Sequence, residues 1–147
     1  MELISGEDLA DSVKNILSSE KQVHRYSVDL TVKEVYRLTG GGQLDFGGSE
    51  HIEPKREKLA PSKKKGEEHG WWDLGGGRYL ITLNESVAPI DGLGLLSPHP
   101  RLLKSGSTHT TLVVHEWKGD YVLPLDVGGT GLKLKQNSRV SKLLVLG

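Results

Sequence analysis

The stretch from Trp117 to Leu146, WKGDYVLPLDVGGTGLKLKQNSRVSKLLVL, constrains the fold most. Apolar and polar residues alternate through YVLPLDV and again through LKLK, and a third, largely apolar run closes the segment. Gly-Gly-Thr-Gly separates the first two runs and Gln-Asn-Ser the last two. Alternation places successive side chains on opposite faces of a strand, and breaks of this length and composition suit tight turns. The segment therefore predicts three short strands joined by turns, the grammar of an antiparallel sheet.

The same grammar recurs upstream. Tyr26, Val28, Leu30 and Val32 share one parity, and Val35 begins another, which predicts a bulge near Lys33-Glu34. RYLITLNESV, GLGLL and THTTLVVH (Thr108 to His115) read as further strands, and SPHPRLLKSG as a loop or irregular segment. Residues 5 to 18 read as a short N-terminal helix. Ser5 is the N-cap, Asp8 completes a capping-box-like signal, and Leu9, Val13, Ile16 and Leu17 recur at helical spacing. Residues 47–70 hold two prolines and Lys63-Lys64-Lys65 and read as a charged surface excursion. The expectation is a single domain over residues 1–147. It is all-β, a distorted β-barrel or jelly roll of eight to ten strands behind a short helix.

Composition narrows the function. The 147 residues suffice for one domain with a real core. Lys plus Arg and Asp plus Glu balance at 19 each, so no global field draws the chain to nucleic acid or anionic membrane, and no clear nucleic-acid partner is implied. No apolar run approaches the ~20 residues that span a bilayer, and the acidic, amphipathic start does not suit a signal peptide. There is no cysteine, which excludes disulfides, thiolate catalysis and Cys-based zinc sites and fits a cytoplasmic location.

The common chemical motifs are missing. Gly75-Gly76-Gly77 lacks the Lys of a phosphate loop and precedes a strand, so it reads as a turn. The six histidines show no metal-ligand spacing; His109 and His115 on one strand would lie about 20 Å apart. No serine sits in a nucleophile elbow. Trp71 and Trp72 read as core or interface.

Four collinear segments carry a family resemblance. Ser27-Val28-Asp29-Leu30 follows the short helix. TLNESVAPIDGLGLLSPHPRLLKSG, VVHEWKGDYVLPLDV and LKLKQNSRVSKLLVL follow in order. Together they resemble the dUTP diphosphatase (dUTPase) and dCTP deaminase superfamily. That resemblance implies a distorted β-barrel, a homotrimer, and nucleotide sites built between subunits. It implies Mg2+ if the chain is an active nucleotide hydrolase, because metal neutralises the phosphates while a carboxylate activates water.

Carried over residue by residue, the resemblance puts Val114 where the diphosphatases keep a working Asp, and Pro124 where the deaminases keep a working Glu. Neither side chain moves a proton. The family's Arg-Ser-Ser segment falls on His99-Pro100-Arg101, and its closing-strand Gln on Lys142. Asp29, His99, Arg101, Lys104, Trp117 and Arg139 remain as the candidate ligand-binding set. His115 and Glu116 are the candidate catalytic pair, with Glu116 as a base aimed by a bulge. No metal ligand is assigned. Three readings stay open: a divergent member without the usual catalytic set that binds a nucleotide or phosphate, an active hydrolase using Glu116 and His115, and an interaction module contacting partners through the Lys-rich excursion or Trp71-Trp72.

Overall fold

The computed structural model describes residues 1–147 in the order α1 (Gly6–Ala10), β1 (Val13–Lys14), α2 (Ser19–Gln22), β2 (Val28–Leu38), β3 (Arg56–Lys58), β4 (Trp71–Leu74), β5 (Gly77–Leu83), β6 (Ser86–Val87), β7 (Leu93–Pro98), α3 (Pro100–Lys104), β8 (Ser107–Thr108), β9 (Leu112–Val114), β10 (Leu123–Val127), β11 (Leu132–Lys135) and β12 (Arg139–Leu146). The main sheet is antiparallel, in the order β8-β10-β5-β2-β12-β7-β9, with β3 added to β2. It curls into a half-barrel, as the alternation predicts. Two-stranded pairs β1-β6 and β4-β11 close its flanks.

Strand β2 organises the sheet. Its long run lets β5 pair along one side while β12 and β3 share the other. The register against β5 slips between Val32 and Glu34, where the parity change in the sequence predicts a bulge. Val28, Leu30, Val32 and Val35 reach the core with Ile81, Leu83, Leu123, Leu125 and Leu143. Each buried aliphatic side chain contributes roughly 1.5–3 kcal/mol, so this shared layer is the main source of stability.

The helices differ from the expectation. α1 starts as predicted, with the Ser5 side chain accepting from the Asp8 amide. It stops at Ala10 because Val13 pairs with Val87 in a sheet, which overrides the helical spacing. Leu17 is consequently exposed rather than part of an apolar stripe. SPHPRLLKSG is not a loop: its middle is helix α3, with Pro100 in the first turn, where a missing amide hydrogen costs nothing. The stretch Thr108 to His115 is broken into β8 and β9 around His109, whose imidazole turns inward to Ser141. The charged excursion is also partly structured, since Arg56–Lys58 extends the sheet from Leu38 to Tyr36.

Candidate functional site

Val28–Val32 is buried on both faces, and the second face is polar. Alternation sends Asp29 and Thr31 to that face. It is covered by α2, the segment before β2, and the turn after β5. Thr31 donates from its amide to Glu85 Oε1 at 2.7 Å and from its hydroxyl to Glu85 Oε2 at 2.6 Å. Gln22 donates to the same Oε2 at 2.9 Å and accepts from the Leu17 and Ser18 amides. Glu85 has no cation beside it, and burial, partly offset by the Thr31 and Gln22 hydrogen bonds, pushes its carboxyl above the ordinary value. This is a structural network, closed to solvent.

Asp29, two residues before Thr31 and as buried as Glu85, is surrounded by donors instead. His24 Nε2 lies 2.9 Å from Oδ2, Arg139 Nη1 at 3.2 Å and His99 Nε2 at 3.3 Å. Lys142 Nζ stands 3.2 Å from Oδ1 but out of line for a hydrogen bond, so it acts there as a charge and donates to Ser27 Oγ. Burial is the largest influence on Asp29 and would raise its pKa. The contacts of His24 and Lys142, with the Lys142 charge, outweigh it and hold the carboxyl below its ordinary value.

His99 caps α3, accepting the Arg101 amide on Nδ1 at 3.1 Å. That contact fixes the hydrogen on Nε2, which faces Asp29. Burial dominates its titration and lowers it. Asp29 pulls the other way, while Lys142 and Arg139 add to the lowering. His99 is therefore a buried neutral imidazole rather than the exposed loop residue that two flanking prolines suggest.

Arg139 links this cluster to the surface. Its Nη1 also donates to the Lys21 carbonyl at 2.9 Å. Beside it opens a groove of about 520 Å³ whose charged lining is Lys21, Arg101, Lys135 and Arg139, with Gln136 and Asn137 between them. No carboxylate lines it. Four cations line it and only Arg139 has a carboxylate partner, the buried Asp29, so the groove suits an anion, and Arg101 and Arg139 offer forked donors for phosphate oxygens. Lys104 is exposed at the end of α3 and does not line this groove.

The remaining candidates lie elsewhere. His115 and Glu116 follow β9 and line a separate, mostly apolar cleft with Leu112, Val113, Val114 and Tyr121. Glu116 accepts from the Tyr121 hydroxyl at 3.3 Å, and Lys118 lies 3.8 Å away. Trp117 is buried, its backbone bonded to Val87 and its ring edge-on to Tyr121 at 5.4 Å. Within one chain, then, Asp29, His99, Arg101 and Arg139 adjoin one another, whereas His115, Glu116 and Trp117 form a second group.

Sequence reasoning missed His24, Lys21, Lys135 and the Glu85–Gln22 network. His24 carries a faint signal, five residues before Asp29. Lys21 and Lys135 join the site only through folding.

The residues present do not fit a protein-held magnesium ion. Asp29, the one carboxylate of the cluster, is buried and ion-paired with Arg139 and Lys142, and no group of three or more His, Asp or Glu is placed to hold a metal ion. Val114 points its valine side chain inward at the end of β9 and offers no proton acceptor.

Comparison with known proteins places the chain. No protein-family model matches it. A protein of Methanosarcina barkeri named as a probable deoxyuridine 5'-triphosphate nucleotidohydrolase is 31% identical over 135 residues, covering 90% of this chain and 76% of that protein. The chain belongs to the dUTPase family, in the dUTPase/dCTP deaminase superfamily. A dUTPase relative of the same description in Methanosarcina mazei is 29% identical and covers 98% of this chain and 87% of its own. Among solved structures, the 2'-deoxycytidine 5'-triphosphate deaminase of Agrobacterium tumefaciens shares the dUTPase-like fold, with a TM-score of 0.61 at 15% identity. The match spans 97% of this chain and 47% of the deaminase.

Proposed function

We propose that this dUTPase-family chain binds a nucleotide through its polyphosphate without hydrolysing it. The observation that carries the reading is the groove of Lys21, Arg101, Lys135 and Arg139, rich in cations and free of carboxylates. Val114 and Pro124 stand where the resemblance would put the proton-transfer groups, and the one adjoining carboxylate, Asp29, is buried and ion-paired with Arg139 and Lys142. Asp29 in this reading is a positioning residue: it orients Arg139, whose guanidinium reaches the groove. By analogy with the superfamily the chain assembles as a homotrimer, with the ligand held near a subunit boundary. The free edge of β9 and its exposed Val113 support contact between copies.

The test is purified protein with dUTP or dCTP and magnesium, followed for pyrophosphate and ammonia and, in parallel, by calorimetry. Binding without turnover is expected. Arg101→Ala and Arg139→Ala should each weaken binding by about tenfold or more, the scale of a lost charge-assisted hydrogen bond. Steady turnover by the wild type would overturn the reading.

A second reading, hydrolysis by Glu116 with His115, is favoured by one observation: both line an open cleft and Glu116 is partly solvated. It requires turnover that Glu116→Gln abolishes.

A further inference from the structure

Residues 43–52 form an outlying hairpin. Gln43 and Ile52 exchange both backbone hydrogen bonds, at 2.8 and 2.9 Å. Asp45 fixes the tip, accepting from the Gly48 amide at 3.1 Å and the Glu50 amide at 3.0 Å, and Gln43 Nε2 donates to the Glu50 carbonyl. This ordered turn holds three large apolar side chains in water. Leu44 is 88% exposed, Phe46 108% and Ile52 54%, and Phe46 is the single phenylalanine of the chain. A pre-ordered apolar knob loses little conformational freedom on docking, and a cluster of exposed apolar residues marks a contact surface.

Charge selects what covers it. Between Gln43 and Glu53 the chain carries Asp45, Glu50 and Glu53 and no Lys or Arg. The surface offers two clefts with aromatic character. The cleft beside Tyr121 carries Glu116, Asp120 and Glu53 against Arg56, a net negative lining that would repel an acidic hairpin. The other lies on the outer face of β4 and β11. There Trp71 is 41% exposed, with Lys135 5.4 Å from its ring centre, and Lys63, Lys64 and Lys133 line the cleft. The three lysines of the lining outnumber Glu67 and Asp73, the acids of the same cleft. An acidic apolar knob and a basic aromatic cleft on one otherwise neutral chain are complementary to each other.

We propose that the Leu44–Phe46 tip of one copy docks against Trp71 and its lysines on the next copy. The contact is heterologous, each chain giving one knob and receiving one, and such contacts close into a ring when the rotation between copies closes. The knob is the anchor of a wider interface, since three side chains alone fall short of the ~1,200 Å² of a stable one. The inference rests on the assembly part of the proposed function and names its contact.

Sedimentation velocity at low salt tests it on four samples: wild type, Phe46→Ser, Lys133→Glu, and a mixture of the two variants. Wild type should exceed monomer mass and each variant should fall toward monomer. The mixture should form a one-to-one dimer, because one intact knob and one intact cleft remain. Matching thermal melts would show that both variants fold; if Lys133→Glu does not, Trp71→Ser replaces it. A wild-type oligomer that Phe46→Ser leaves unchanged would overturn this contact and spare the assembly. A monomeric wild type would overturn both, leaving the hairpin to a different partner.

Discussion

His99 Nε2 faces Asp29 Oδ2 across 3.3 Å while its Nδ1 accepts the Arg101 amide, so one neutral ring joins a buried carboxylate to the helix that lines the groove. A proton on Nδ1 would remove the acceptor for that amide.

The pH dependence of stability follows. His99 and His109 are both held below the ordinary imidazole value by burial above all, and His109 bonds Thr110 and Ser141. A depressed histidine contributes stability that is present above about pH 6.5 and is lost as pH falls through its folded value. Asp29, depressed from the ordinary carboxylate range, keeps its contribution until far lower pH. Urea unfolding should therefore show stability falling below about pH 6.5. His99→Gln should shallow that slope by at most about 1.4 kcal/mol per pH unit, one proton's worth. An unchanged slope would show that His99 is not buried neutral. Asp29→Asn at pH 7 should cost about 3 kcal/mol, because Arg139 and Lys142 lose their shared counter-charge.

Glu85 should behave with the opposite sign. Its carboxyl is raised by burial, so its contribution is full below about pH 4.3 and is lost as pH rises through its folded value. Subtracting the stability curve of Glu85→Gln from that of wild type isolates this term, and the difference should decline with rising pH. Glu85→Ala should cost about 3 kcal/mol below about pH 4.3 and less as pH rises, leaving the Thr31 amide and hydroxyl and the Gln22 amide without an acceptor. A flat difference curve would refute the raised value.

Gly6 should tolerate no side chain. A Cβ there would overlap the His24 carbonyl and crowd the Ser27 carbonyl. Gly6→Ala should cost about 2 kcal/mol, as overpacking does, and should loosen His24 from Asp29. Gly41, with open space around it, is the control, and Gly41→Ala should stay within about 0.5 kcal/mol. Equal melting temperatures for the two variants would refute the close packing of α1.

The sheet was legible because its signals are local. Parity announced β2 and its slip at Val32/Glu34, and the Ser5 cap marked where α1 begins. What was not legible depends on partners far along the chain. Val13 looks helical until Val87, 74 residues on by subtraction, claims it for a strand. Pro100 reads as a breaker unless it falls in a first helical turn. Asp29 stood out by its S-V-D-L setting, but a lone aspartate cannot announce His24, His99, Arg139 and Lys142, which the fold gathers from three places. Lys142 read as a lost glutamine; in the structure it is a counter-charge.

The two-sided burial of Val28–Val32 has a consequence for how the chain finds its pairing. In most antiparallel strands a slip by one residue exposes hydrocarbon to water. Here it would also drive Asp29 into the layer of Leu30 and Leu143 and set Val28 among His24, Arg139 and Lys142. Both faces would then be wrong together. The buried charges thus proofread the alignment of β2 with β12, and a core of hydrocarbon alone on both faces would leave that alignment unguarded.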